Sequence, residues 1–140
     1  GGPRWRDMVG EAKADEYERT QTIPVMLDAN NTPLLRNFVH LDDLTEAIIA
    51  AIDHPQARQQ TFNICMDEPV NYRRVAEYLA QTRGLPSVDI PTPYQSTWLD
   101  NTKAKFLLGW RPHIALPQLI DRSWDYERAP DDPRIIWYPG

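Results

Sequence analysis

The chain has 140 residues, a formal net charge of −5 at pH 7 and one cysteine, Cys65. The length suits one domain with a core of its own, burying roughly 65–70% of the surface that the unfolded chain exposes. An acidic balance, with Lys13, Lys103 and Lys105 as its lysines, argues against nucleic acid and anionic membrane as partners; no run approaches the ~18 apolar residues of a membrane span, and a lone cysteine forms no internal disulfide and points to a reducing cytoplasm.

The 13 prolines and five tryptophans imply many fixed turns and much aromatic surface to cover, by a well-filled core or by something outside the chain. After the entry Gly1-Gly2-Pro3, where Pro3 suits the start of a helix, Trp5, Met8, Val9 and Ala12 fall at i, i+3, i+4 and i+7 and predict one helix with an apolar face. Its charged end, Ala14 to Arg19, is expected in solvent. Ile23-Pro24-Val25-Met26-Leu27 reads as a strand whose Pro24 places it at a sheet edge or a strand start, followed by turn residues Asp28 to Pro33. A second strand is expected from Leu34 through Val39, pairing with the first as a hairpin.

From Asp42 the pattern predicts a helix with Leu44, Ile48, Ala51 and Ile52 buried, Asp42 or Asp43 as cap and Pro55 as stop. Gln60 to Cys65 reads as a strand. A helix capped by Asn71 follows, with Tyr72, Val75, Ala76, Leu79 and Ala80 on one face and Gly84 after its end. Ser87 to Ile90 is a brief strand, and Pro91 to Trp98 is too rich in proline for regular structure and reads as an exposed connection. Asp100 or Asn101 caps a helix through Leu108 that Gly109 closes, and Pro117 opens a last helix with Leu116, Leu119, Ile120 and Trp124 inward. Residues 1–128 read as a single domain, and 129–140, with Pro130, Pro133 and Pro139, as a proline-rich tail extended over the surface. Alternation of helices and strands argues an α/β fold.

The residues supply no self-contained catalytic site. The six glycines are scattered, so no phosphate-cradling loop exists; His40, His54, His113 and Cys65 lack metal-ligand spacing; no serine sits in a glycine elbow; and adjacent carboxylates such as Asp42-Asp43 read as caps and solvated charge. Cys65, at an apolar strand end, reads as packing. Arg36, where a strand meets a helix, is either an anion handle or a rim charge paired with Asp42 or Asp43.

Three stretches then carry a resemblance. Arg36-Asn37-Phe38-Val39-His40-Leu41-Asp42-Asp43-Leu44-Thr45-Glu46-Ala47-Ile48, Thr61-Phe62-Asn63-Ile64 with the following Pro69 to Leu79, and Leu99 to Pro112 with its Leu108-Gly109-Trp110-Arg111-Pro112 ending stand in the order seen in the extended short-chain dehydrogenases/reductases, the NAD-dependent epimerase/dehydratase family. The match that they set in register runs over residues 22 to 128. The resemblance covers only that family's C-terminal, substrate-binding part. It implies a small α/β subdomain whose Rossmann domain, with its glycine-rich turn and its Tyr-x-x-x-Lys pair, is absent: no tyrosine here has a lysine four residues on.

By that resemblance the chain binds no cofactor, while NAD or NADP is expected for the full-length parent, an epimerase, dehydratase or dehydrogenase; the alternative is a non-catalytic ligand- or partner-binding module derived from the fold. Arg36 takes the place of the family's substrate arginine, and backbone near Ile23 and Val25 lines the substrate's far end. The second arginine that many nucleotide-sugar members carry is missing from Pro91 to Trp98, which favours a smaller or less charged substrate such as a free sugar or a uronate. Tyr94, Gln95 and Trp98 supply stacking and hydrogen bonds to it. The Thr61 to Ile64 strand joins the Rossmann sheet in the family, so here it lacks a neighbour, and either self-association into a homo-oligomer or an origin by proteolysis of a larger protein is expected.

Overall fold

The computed structural model describes residues 5–127 and 129–131; the expectations for Gly1 to Pro3 and for Pro133 and Pro139 lie outside the described residues. Ten elements follow one another: α1 (Trp5–Val9), α2 (Glu11–Arg19), β1 (Ile23–Leu27), β2 (Leu35–Arg36), α3 (Leu41–Ala51), β3 (Val70–Asn71), α4 (Tyr72–Arg83), β4 (Ser87–Pro91), α5 (Thr102–Leu108) and α6 (Leu116–Trp124).

The helix expected at the start is two. Gly10, at φ 83°, breaks it: its N–H donates to the Arg6 carbonyl and its carbonyl accepts from Ala14. A positive φ is the conformation that glycine adopts without a Cβ penalty. Arg6 then bridges the break, donating to Glu11 and Asp15 at 2.6 Å each and to Glu18. Nothing in α1 is buried, and in α2 only Ala14 is.

The expected hairpin does not form. β1 pairs in parallel with β4, Ile23 opposite Ser87 through Leu27 opposite Pro91, across a crossover that contains α3 and α4. An isolated antiparallel bridge joins Leu27 to Pro33 and the Leu34 N–H donates to the Met26 carbonyl, but Pro33 has no N–H with which to extend a ladder. The second strand shrinks to Leu35 and Arg36, antiparallel to β3 with Leu35 opposite Asn71 and Arg36 opposite Val70.

Helix α3 follows its predicted face only in part: Leu44 and Ala51 are half-buried, Ala51 against the core cluster, while Ile48 and Ile52 are exposed. Its cap is His40, whose ring nitrogen accepts from the Asp42 N–H at 3.1 Å. Asp43 and Ala47 are buried, whereas Leu41, Ile48, Ile49 and Ile52 are 70, 54, 64 and 63% exposed. Small residues face the core because the partner surface comes close: Ala47 packs with Ala104, Leu108 and Trp110 in one cluster, with Val39, Phe62 and Ile64 against it. Phe62 and Ile64 thus follow a strand-like alternation, but residues 60–65 form no strand, because no strand among the described residues lies beside them. Their ties run to side chains and loops: the Asn101 amide donates to the Cys65 carbonyl at 2.8 Å and Lys103 to the Thr61 carbonyl at 3.0 Å.

The later elements follow the sequence closely. Asn71 caps α4 by accepting from Arg73 and Arg74, Gly84 ends it at φ 67°, and Ala76 and Leu79 fill its inner face while Ala80 is exposed. Asn101 precedes α5, but the capping bond comes from Asp100, which accepts from the Thr102 N–H at 2.8 Å. In α6 Ile120 is buried, whereas Trp124 stays 46% exposed with Arg83 stacked on its ring at 4.9 Å.

Candidate functional site

β2 places Arg36 beside the segment that follows β4. Its Nη1 donates to the Gln95 carbonyl at 2.5 Å and to the Leu35 carbonyl at 3.4 Å, and its guanidinium lies over the Tyr94 ring at 5.6 Å. Both possible carboxylate partners are committed elsewhere. Asp42 accepts from Arg122 at 2.7 Å, and buried Asp43 accepts from the His113 and Ile114 N–H groups at 2.9 and 3.0 Å. Among the described residues Arg36 therefore forms no ion pair; neutral carbonyls and an aromatic face hold it, and its charge remains available to a ligand. Tyr72 completes the neighbourhood: burial pushes its phenol above the ordinary value, and the Arg36 charge opposes that rise.

The segment carrying Tyr94 and Gln95 is the irregular and largely exposed connection that its prolines predict, apart from Pro91, which ends β4, and it is fastened at several points. Thr92 is buried, with its hydroxyl donating to the Leu27 carbonyl at 2.6 Å. Ala29 donates to the Tyr94 carbonyl at 2.7 Å. The Ser96 hydroxyl donates to Asp28 Oδ2 at 2.9 Å and accepts from the Leu35 N–H at 3.1 Å. Asn37 donates to Thr97 Oγ1 at 3.1 Å and accepts from the Leu99 N–H at 2.8 Å. Burial pushes the Asp28 carboxyl up, and hydrogen bonds from Ser96, Thr32 and Asn30 together outweigh it, leaving the group below its ordinary value.

Arg36, Tyr94 and Gln95 are thus brought together. Trp98 stands three residues further on and is 67% exposed. Val25 is fully buried and Ile23 partly so; β1 pairs with β4 on one edge, and no described contact ties either residue to Arg36. Tyr72, Asp28, Asn37 and Ser96 escaped the sequence reading. A cluster of hydroxyl and amide side chains in Thr92 to Thr97 was the available signal, since such residues fasten loops.

An apolar cleft of about 330 Å³ adjoins the site, with Tyr72 and Phe38 in its wall beside Val75, Leu119, Ile120 and Trp124. A second cavity, of about 270 Å³, lies between residues 66–70 and 112–116, where Asp67 pairs with Lys105 at 2.5 Å and Glu68 with Arg74 at 3.5 Å. Cys65 is buried; desolvation, reinforced by Asp67 and Asp100, pushes its thiol up, which suits packing and opposes a thiolate role. No three His, Cys, Asp or Glu side chains among the described residues form a metal-ligating group.

Comparison with known proteins bears on this arrangement. The UDP-glucose 4-epimerase of Mycolicibacterium smegmatis is 28% identical over 137 residues, which are 91% of this chain and 42% of that protein. A short-chain dehydrogenase/reductase superfamily protein from Agrobacterium tumefaciens, solved with bound NAD, superposes with a TM-score of 0.67 at 22% identity over 84% of this chain and 38% of that one. The chain resembles the C-terminal part of the extended short-chain dehydrogenases/reductases. The UDP-glucose 4-epimerase of Thermotoga maritima, solved with UDP-glucose, agrees, with a TM-score of 0.56 at 25% identity over 86% of this chain and 40% of that one. No family model matches the chain. It spans about two fifths of the length of these relatives.

NAD, which this fold family implies, does not fit the residues present. A dinucleotide needs glycines at the N-terminal end of a helix, where free N–H groups face the pyrophosphate. Gly84 and Gly109 stand instead at the C-terminal ends of α4 and α5, and Gly10 sits between α1 and α2, with no strand among the described residues leading into it.

Proposed function

We propose that this chain is the substrate-binding part of an NAD(P)-dependent epimerase, dehydratase or dehydrogenase that acts on a sugar or nucleotide-sugar-like substrate, and that it is inactive alone. The observation that carries the proposal is the state of Arg36, charged and without a carboxylate partner among the described residues, placed over the Tyr94 ring with one Nη directed at the Gln95 carbonyl. A guanidinium so placed keeps its remaining N–H donors for phosphate or carboxylate oxygens. Gln95 and Trp98 offer an amide and an exposed ring to the sugar, and the partly exposed edge of β1 at Ile23 lines its far end, whereas the fully buried Val25 presents no surface to a ligand. One arginine, where nucleotide-sugar members often carry two, suits a ligand bearing less negative charge.

The chemistry belongs to a Rossmann domain that this chain lacks, which supplies the acid–base pair and the NAD or NADP site. We place its docking surface on the exposed face of α3, Leu41, Ile48, Ile49 and Ile52, and on the unladdered residues 60–65. Isoleucines on one side of a helix next to an extended segment with no strand neighbour are what a sheet edge would cover. Without that domain the same surface promotes self-association. Its one cysteine, free and buried, suits the reducing cytoplasm as its compartment.

Isothermal titration of the chain with UDP, UDP-glucose and glucuronate tests the reading. Losing a charge-assisted hydrogen bond costs about 1.5–3 kcal/mol, so Arg36→Ala should weaken the bound anion about 10-fold or more. Equal affinity of both proteins for every ligand would remove Arg36 from the site. A stand-alone binding module, the competing reading, would bind its ligand with Ile48 and Ile49 replaced by aspartate and with no Rossmann domain ever recovered alongside it.

A further inference from the structure

We infer that Ser96, anchored by Asp28, is a positioning residue for Arg36; the functional meaning of this rests on the reading of Arg36 as the anion contact. Ser96 touches no part of the guanidinium. It fixes instead where the Gln95 carbonyl stands. Its hydroxyl is spent twice, donating to Asp28 Oδ2 at 2.9 Å and accepting from the Leu35 N–H at 3.1 Å. Leu35 and Arg36 are adjacent in β2, as are Gln95 and Ser96 in the loop. Tying Ser96 to Leu35 therefore sets the register in which the neighbouring Gln95 carbonyl meets Arg36 Nη1 at 2.5 Å.

Asp28 is built to hold its end still. It is only 5% exposed, and its Oδ1 accepts from the Asn30 and Thr32 N–H groups at 2.9 and 3.1 Å while its own N–H donates to the Thr32 carbonyl at 2.7 Å. The carboxylate is thus a rigid acceptor at the end of β1, with Oδ2 pointed at the loop. Ala29 adds a second tie to the Tyr94 carbonyl, so Tyr94, Gln95 and Ser96 are each fastened by a different partner. The ring beneath the guanidinium and the carbonyl at its edge are both fixed before any ligand arrives, which reduces the ordering that binding would otherwise require. In Asp28→Asn an amide oxygen can still serve Asn30 and Thr32, but the amide nitrogen then faces Ser96 and its hydroxyl proton loses its acceptor.

The test reads Arg36 directly. In wild type the side-chain N–H resonances of Arg36, identified by their loss in Arg36→Lys, should show the ring-current shift of Tyr94 and slow exchange with water. Ser96→Ala and Asp28→Asn should move them to the free-arginine position and speed exchange at least 10-fold, Ser96→Thr should restore them, and Gly84→Ala, which strains a remote helix end, should leave them unchanged. Resonances unmoved in both Ser96→Ala and Asp28→Asn, no rescue by threonine, or an equal shift in Gly84→Ala would each overturn the inference. Affinity for UDP, measured alongside, should fall about 3- to 10-fold in Ser96→Ala, less than in Arg36→Ala. If Arg36→Ala binds UDP as well as wild type does, the functional reading fails, and the resonances still decide whether Ser96 positions Arg36.

Discussion

Replacing Asp43 by alanine removes the acceptor that holds the loop after α5 onto α3. Two N–H groups, from His113 and Ile114, donate to the two carboxylate oxygens at 2.9 and 3.0 Å, and the side chain is 1% exposed. Hydrogen bonds to a charged group contribute about 1.5–3 kcal/mol each. His113 is exposed and Ile114 partly so, and water can reach their N–H groups once the carboxylate is gone, which places the expected loss near the lower end, about 3 kcal/mol for the pair. The Trp110 indole, which donates to the Asp43 backbone carbonyl at 2.9 Å, keeps its bond in the variant and remains a buried fluorescent reporter. With an m-value of about 1–3 kcal/mol/M in urea, the unfolding midpoint should fall by roughly 1–3 M. Asp43→Asn retains one acceptor and should lose about half as much. Asp42, next in sequence but exposed in its ion pair with Arg122, should cost under about 1 kcal/mol when replaced. A midpoint for Asp43→Ala no lower than that for Asp42→Ala would refute the assignment.

The exposed face of α3 should tolerate charge where the buried face does not. Ile48→Asp and Ile49→Asp are expected to change the urea midpoint by an amount equivalent to about 0.5 kcal/mol or less, and light scattering should show weaker self-association, whereas Ala47→Asp should abolish cooperative unfolding. The Tyr78, Arg83 and Asp121 cluster should give stability a pH dependence. Hydrogen bonds from Tyr78 and then Arg83 hold the Asp121 carboxyl below its ordinary value, so its contribution is present above the usual carboxylate range and is lost as pH falls through the lowered value. The Tyr78 phenol, raised chiefly by its bond to Asp121, contributes below its ordinary value and loses that contribution as pH rises through the raised one. In Tyr78→Phe the acid limb of a Tm-against-pH profile should become shallower; an unchanged profile would count against the pair.

What the residues determined by themselves was local. Asn71 as a cap, Gly84 and Gly109 as helix ends and Pro117 as a helix opener depend on bonds within a few residues, so the pattern that codes for them lies together in the chain; the short strands at Ile23 and Ser87 were legible from their apolar, β-branched runs and flanking turn residues, although their ladder bonds are made with each other across the chain. The family resemblance was legible for the same reason, as short motifs in order. Only the tertiary structure decided which strands pair, because Pro33 ends the hairpin that proximity favoured and β4, some 60 residues on, takes the place beside β1. It also decided which of two adjacent aspartates is buried. Asp42 and Asp43 look alike in a sequence, but a helix turns its successive residues about 100° apart, and the one that met the returning loop became its anchor. The isoleucines of α3 are the converse case: their pattern promises burial, and among the described residues nothing covers them. Arg36 stood out from its motif alone, yet its lack of a carboxylate partner could be seen only when Arg122 and the 113–114 backbone were found to have claimed both candidates.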